Sequence, residues 1–130
     1  MEKGNKFMKY KTVAIVQARL TSSRFPNKIL QKLGKKTLIE ILLNRLGKAE
    51  EIDKVVLAIP NNKKNKIIKN KINITNPIFY GKENDVLDRC FKAAKKYHAK
   101  VVVRICGDCP LIDPNVVNKL LRYFKKNNFD

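Results

Sequence analysis

At 130 residues, 44% hydrophobic and 31% charged, the chain is long enough for one domain with a real core and too apolar for a disordered segment. Its apolar runs fall far short of the roughly 20 residues of a membrane span, and three cysteines, an odd number without a disulfide-like framework, fit a reducing cytosol and so a cytoplasmic protein. A net charge of +18 raises nucleic acid as a partner, but all but 6 of the 29 basic residues are lysines spread through every segment, and the 14 asparagines beside them point to AT-rich coding rather than to a polyanion.

Residues 1–11, MEKGNKFMKYK, are basic and lack the apolar core of a secretory signal; a flexible segment is expected there, ahead of one unit over 12–130. The run TVAIVQ, 12–17, is continuous and rich in β-branched residues, as in a strand buried on both faces. A polar segment with Pro26 follows. Ile39, Leu42, Leu43 and Leu46 then recur at i, i+3, i+4 and i+7, predicting an amphipathic helix that ends near Gly47. KVVLAI, 54–59, is a second buried strand stopped by Pro60, and the Lys/Asn-rich stretch 61–73 predicts a short surface helix and loop. A brief strand is expected at 78–80. The next helix, 85–97, places Val86, Cys90, Ala93 and Tyr97 on one stripe, with Leu87, Phe91 and Ala94 beside it. KVVVRI, 100–105, is a third buried strand. A final helix over 115–126 should turn Val116, Val117, Leu120, Leu121 and Phe124 inward.

Strands alternating with helices predict a three-layer α/β/α domain whose mainly parallel sheet joins the runs 12–17, 54–59 and 101–105 as neighbours. Ligands of such sheets gather beyond the carboxyl ends of the strands. Here those ends lead into ARLTSSRFPNK, 18–28, and CGDCPLIDP, 106–114. The first segment offers the cations Arg19, Arg24 and Lys28 and the hydroxyls of Thr21, Ser22 and Ser23, a set suited to phosphate oxygens. Neither Gly-x-Gly-x-x-Gly nor the P-loop spacing is present.

In the second segment Cys106 and Cys109 have the spacing of a redox or metal pair. A redox pair needs a helix N-terminus beside it, yet Pro110 and Pro114 delay the helix to beyond Asp113, its expected N-cap. A zinc site needs four ligands, and only Cys90 and His98 remain to supply them. Asp108 is the better candidate. A carboxylate after a strand and a glycine, opposite a phosphate loop, suits Mg²⁺, which takes one or two carboxylates together with substrate phosphates. Blander roles are expected elsewhere: Asp88 and Arg89 as a helix-surface pair, Asp85 as an N-terminal acid, Cys90 in the core, His98 as a surface group and Arg45 and Arg122 on helix surfaces.

VAIVQARLTSSRFPNKIL, followed some 85 residues later by VRICGDCPLIDP, resembles the cytidylyltransferases that activate acidic sugars, of the KDO and acylneuraminate types, and most closely the spore-coat polysaccharide biosynthesis F-type proteins. GKENDVLDRCFKAA, 81–94, resembles the segment those F-type proteins carry between the two. The resemblance implies a nucleotide-diphospho-sugar transferase (Rossmann-like) fold, Mg²⁺ dependence, and transfer of CMP from CTP to a sugar hydroxyl with release of pyrophosphate, in surface polysaccharide biosynthesis. By motif position it implies that Arg19, Arg24 and Lys28 hold the triphosphate, with Ala18, Ser22, Ser23 and Cys106 lining the nucleotide and Asp108 holding the metal. Arg24, Lys28 and Asp108 are the catalytic candidates.

Two positions depart from the pattern: Thr21 stands where sialic-acid enzymes carry Gly, and Cys106 where KDO enzymes carry a Gln that contacts the base. Such enzymes also run to nearly twice this length, so the chain resembles an amino-terminal portion. The rival readings are a sugar-phosphate nucleotidylyltransferase using another nucleotide and a basic nucleic-acid-binding module. The module is disfavoured because its cations should gather on one face, interleaved with aromatic residues. CTP and a sugar are thus the expected partners, with no membrane, and a homodimer is compatible with the sequence.

Overall fold

The strand predicted first is the centre of the sheet. In the computed structural model, which describes residues 11–20 and 27–127, β1 (Thr12–Gln17) lies between β4 (Lys54–Pro60) and β6 (Val101–Cys106). A short β5 (Ile78–Gly81) continues the sheet beyond β4, giving the order β5-β4-β1-β6 with every pairing parallel. The three predicted strands are therefore parallel neighbours. Residues 12–16 are buried throughout, as a strand covered on both faces requires. A small hairpin, β2 (Lys32–Leu33) with β3 (Lys36–Thr37), follows a 3-10 turn at Lys28–Leu30. No apolar pattern announces these pieces.

Helix α1 (Leu38–Leu46) starts on a capping box: the Thr37 hydroxyl accepts from the Glu40 N–H while the Glu40 carboxylate accepts from the Thr37 N–H at 2.7 Å. Such a cap contributes about 1 kcal/mol. The other Glu40 oxygen accepts from the Asn73 N–H at 2.7 Å. Partial burial acts to raise the Glu40 carboxyl, but these backbone N–H groups outweigh it and hold the group below its ordinary pKa. The predicted stripe Ile39, Leu42, Leu43 and Leu46 is buried against one face of the sheet.

Helix α5 (Pro114–Lys126) covers the same face with Val117 and Leu121, and it starts as expected, with Asp113 capping the Asn115 N–H and Pro114 in the first turn. Helix α4 (Val86–Lys96) covers the opposite face, where Cys90 and Ala93 meet Val13, Ile15, Val56 and Ala58. The result is the three-layer α/β/α domain expected. Asp85 caps α4 by accepting from the Asp88 N–H, and Cys90 lies in the core, its thiol pushed up by burial.

Several sequence expectations fail in an instructive way. Leu87 and Phe91 on α4 and Val116 and Leu120 on α5 point outward, all more than half exposed. Each helix buries only a narrow stripe, because a helix packed on one sheet hides about a third of its circumference. The strand β6 is not covered on both faces; it forms the rim of the sheet, with Val102, Arg104 and Cys106 exposed on the α4 side. The Lys/Asn-rich stretch forms two one-turn helices, α2 (Lys63–Lys66) and α3 (Ile68–Lys71), and it is not wholly superficial, since Asn65 and Ile68 are fully buried. Asp88 pairs with Lys92 rather than with Arg89, which is buried to 0% exposure. No helix among the described residues is long and apolar enough to cross a membrane. The expected flexible segment 1–11 lies outside the described residues, apart from Lys11.

Candidate active site

Both unusual segments leave the sheet at its carboxyl edge, side by side. The ladder runs past the strand ends, with the Ala18 N–H donating to the Ala58 carbonyl at 3.1 Å and the Gly107 N–H to the Gln17 carbonyl at 2.9 Å. Gly107 is required by this closeness. A Cβ there would stand 2.9 Å from the Ala18 Cβ and 3.1 Å from the Gln17 oxygen, so any side chain would push β6 away from β1. The residue that follows, Asp108, is thereby held next to the start of the cationic loop.

The base of that loop is tied by two contacts. The Leu20 N–H donates to the buried Asn65 Oδ1 at 2.7 Å, and the Asn27 N–H returns to the Leu20 carbonyl at 3.0 Å. Asn65 is itself oriented by the Asn62 Oδ1, which accepts from both its backbone and side-chain N–H groups. Sequence reasoning missed Asn65; the only available signal was the Asn62 N-cap spacing, which says nothing of a partner 45 residues away. Thr21, Ser22, Ser23, Arg24 and Pro26 lie outside the described residues.

Asn27, in left-handed backbone at φ 58°, turns the chain into Lys28. The Lys28 Nζ lies 3.6 Å from the Asp108 Oδ1, although 80 residues separate the two, and both side chains are open to solvent. An ion pair this exposed is screened by water and contributes only about 0.2–1 kcal/mol. Its interest is positional: one cation from the loop and one carboxylate from the β6 turn converge where a ligand can reach both.

Ala18 is buried and Arg19 exposed. Because Ala14, Val16, Ala18 and Leu20 all join the core on the α1 side, Arg19 projects to the α4 side. Cys106 is exposed at the end of β6 and lies 3.5 Å from the Gln17 Nε2.

Cys106 and Cys109 are both free and exposed, and the chain after them makes tight turns, so α5 begins only at Pro114. Among the described residues no group of three or more His, Cys, Asp or Glu side chains could hold a metal ion. Purified protein should therefore carry no zinc. Metal analysis checks this: a stoichiometric zinc signal that is lost on Cys109→Ser would overturn it.

Arg89 is the largest correction to the sequence reading. Its stem lies against Gly81, where a Cβ would sit 2.6 Å from the Arg89 Cγ, and its Nη1 donates to the Lys82 carbonyl at 2.7 Å. The segment from Gly81 to Arg89 is thus one device, a side-chain-free position that makes room for a buried cation eight residues later. Burial lowers the Arg89 pKa from its ordinary value. Cys90 and Asp85 act against this, and the like charges of Arg19 and Arg104 act with it.

The cytidylyltransferase family profile matches residues 13–130. The chain is 42% identical over 121 residues to the uncharacterized protein MJ1063 of Methanocaldococcus jannaschii, covering 92% of this chain and 50% of that protein. It is 31% identical to the spore coat polysaccharide biosynthesis protein SpsF of Bacillus subtilis, over 83% of this chain and 47% of that one. It is also 31% identical to a 3-deoxy-manno-octulosonate cytidylyltransferase of Christiangramia forsetii, over 91% and 47%. A solved cytidylyltransferase from Leptospira borgpetersenii superposes with a TM-score of 0.81 at 31% identity, over 91% of this chain and 50% of that chain. The chain thus spans about half the length of the curated relatives it matches. With the profile covering all but the first twelve residues, the chain belongs to the cytidylyltransferase family.

Proposed function

We propose that the chain carries the nucleotide-binding part of an enzyme that transfers CMP from CTP to a hydroxyl of an acidic or otherwise modified sugar, releasing pyrophosphate, for surface polysaccharide biosynthesis. The observation that carries this reading is the meeting of Lys28 and Asp108, 3.6 Å apart at the carboxyl edge of the sheet, in a chain of this family. Its likeness to SpsF and to a 3-deoxy-manno-octulosonate cytidylyltransferase supports the sugar and the cytidine nucleotide.

In this reading Arg19, Arg24 and Lys28 grip the triphosphate, while Ser22 and Ser23 add hydrogen bonds and Ala18 and Cys106 line the nucleotide. The chemistry asks little covalent work of the protein. An acceptor oxygen must approach the α-phosphorus in line with the departing pyrophosphate, and the negative charge gathering on that leaving group must be neutralised. The fixed cations do both, holding the chain of phosphates in one orientation and lowering the energy of the charge that develops.

Asp108 offers a single solvent-exposed carboxylate beside this loop. That donor set fits Mg²⁺ arriving with a polyphosphate, and not a cage made by protein alone. When bound, the ion supplies further charge neutralisation along the phosphates.

Calorimetric titration with CTP, with and without Mg²⁺, tests the reading, with UTP, GTP and ATP as comparators. Saturable CTP binding that weakens at least tenfold without the metal is expected. Absence of binding by every nucleotide, or CTP binding indifferent to Mg²⁺, sinks the assignment; tighter binding of another nucleotide overturns cytidine as the substrate.

A further inference from the structure

The transfer proposed above makes Cys106 a wall of the site and gives Cys109 no part, so the chemistry of neither thiol is called on. Cys106 ends β6, Cys109 stands three residues on, and both are free and exposed. The Cys109 N–H donates to the Cys106 carbonyl at 3.2 Å, so the four residues form one β-turn with Gly107 and Asp108 at its corners. Such a turn brings its first and last Cα atoms within about 7 Å, and a disulfide usually spans about 4.4–6.8 Å. The two thiols are therefore within bridging reach. Cys90 has no such access, since it packs on α4 against the sheet and is 5% exposed. A catalytic pair of the thioredoxin kind needs a helix N-terminus, and α5 begins too late to supply one. A regulatory pair needs only two accessible thiols that can meet.

The two ends of the turn are held unequally. Cys106 is fixed by its register with Gln17, its Sγ accepts from the Gln17 Nε2 at 3.5 Å, and the Gly107 N–H is bonded to the Gln17 carbonyl. Gly107 is also wedged against Ala18. Cys109 lies in irregular chain, with its carbonyl accepting from the Ile112 N–H at 3.3 Å. A bridge requires Cβ atoms about 3.5–4.5 Å apart, a tighter fit than the turn itself demands. Closing it moves Cys109 toward Cys106 and leaves the backbone of Asp108 to absorb the change. Among the described residues the Asp108 carboxylate is held only by its exposed pair with Lys28, which is too weak to resist.

We propose that Cys106 and Cys109 form a reversible thiol–disulfide switch whose oxidised form turns the Asp108 carboxylate away from Lys28. One cysteine, as its thiolate, attacks a small disulfide of the glutathione class, which gives a mixed disulfide and releases one thiolate. The other cysteine then attacks the cysteine sulfur of that mixed disulfide and releases the second. The protein gives up two electrons and two protons, and the small disulfide takes them up as two thiols. A reducing compartment keeps the turn open, and an oxidising excursion closes it. The consequence for the metal rests on the functional reading above; the bridge and the movement of Asp108 do not.

The test equilibrates the full chain in glutathione buffers from fully reduced to fully oxidised, then quenches with acid, alkylates after unfolding and counts free thiols by mass. Three free thiols should fall to one, Cys90, with the tryptic peptide 105–119 lighter by two hydrogens, and dithiothreitol should restore all three. Cys109→Ser should form no internal bridge. Three free thiols in fully oxidised buffer, a lasting glutathione adduct in place of the bridge, or a bridge to Cys90 overturns the pair. By NMR the Asp108 carboxyl carbon and the Lys28 Cε should shift together on oxidation, and constant shifts in bridged protein overturn the switch. CTP affinity in Mg²⁺ should fall at least tenfold in bridged protein and recover on reduction; an unchanged affinity also overturns the switch. Reduced protein that binds no nucleotide sinks the functional reading instead, and the thiol count and the Asp108 shift then decide the switch.

Discussion

Asp108→Ala should abolish the Mg²⁺-dependent part of CTP affinity, and Lys28→Ala should weaken CTP binding by about one to two orders of magnitude. Charge-assisted hydrogen bonds of the kind proposed for Lys28 are worth roughly 1.5–3 kcal/mol, which sets that range. The two variants should differ in kind. Lys28 acts directly on phosphate oxygens, so its loss should be felt with and without metal. Asp108 acts through the ion, so in metal-free buffer Asp108→Ala should bind CTP no worse than the wild type, and removing a carboxylate from a cationic site could improve it slightly. Neither change should unfold the domain, because the pair they form is exposed and weak. Titrations on wild type and both variants, in Mg²⁺ and in chelator, give the affinities needed. Equal affinities throughout would show that the nucleotide is held elsewhere.

The second large effect runs against intuition: Arg89→Met should stabilise the fold. Deleting a fully buried side chain normally costs stability, but this one places a positive charge near two others and, among the described residues, leaves two of its nitrogens unbonded. A long apolar side chain would keep the packing against Gly81 while relieving both penalties. It would forfeit one hydrogen bond, to Lys82, whose neighbourhood is exposed enough for water to replace it. Replacement of buried ionic groups by apolar ones of similar volume is commonly neutral to stabilising by about 1–4 kcal/mol. Urea unfolding of the two proteins decides the matter, and a lower unfolding free energy for Arg89→Met would show that Arg89 has a partner its environment does not reveal. A gain in stability would place the residue among those retained for function at a cost to the fold.

The contrast between Arg89 and the strands shows what the sequence could and could not disclose. TVAIVQ and KVVLAI are buried on both faces, and a continuous apolar run rich in β-branched residues has few other places to go. KVVVRI looks the same on paper yet sits on the rim, because edge or interior position depends on which strands lie beyond it and leaves no mark in the run itself. Helix existence was legible from the 3.6-residue period, whereas Leu87 and Leu120 show that the width of the buried stripe was not. Within the candidate site, the loop and Asp108 were found because strand ends in parallel sheets are where ligands gather. Asn65 and Arg89 were invisible, since their roles come from partners brought near by the fold. The Gly81–Arg89 spacing carries its meaning only once a helix is seen to stand over the glycine.

The order of the strands also bears on how the chain folds. Strand β5 joins β4 across about 20 residues of chain, β4 joins β1 across about 40, and β6 joins β1 across nearly 90. Closing a longer loop forfeits more chain entropy, and pairings distant in sequence are slow to form. By this measure β6 should dock last, and among the described residues β1 is its one neighbour in the sheet. Asp108 and Arg104 travel with it. The candidate edge should therefore be completed late in folding, when the carboxylate arrives, and be among the first parts lost when the sheet begins to open.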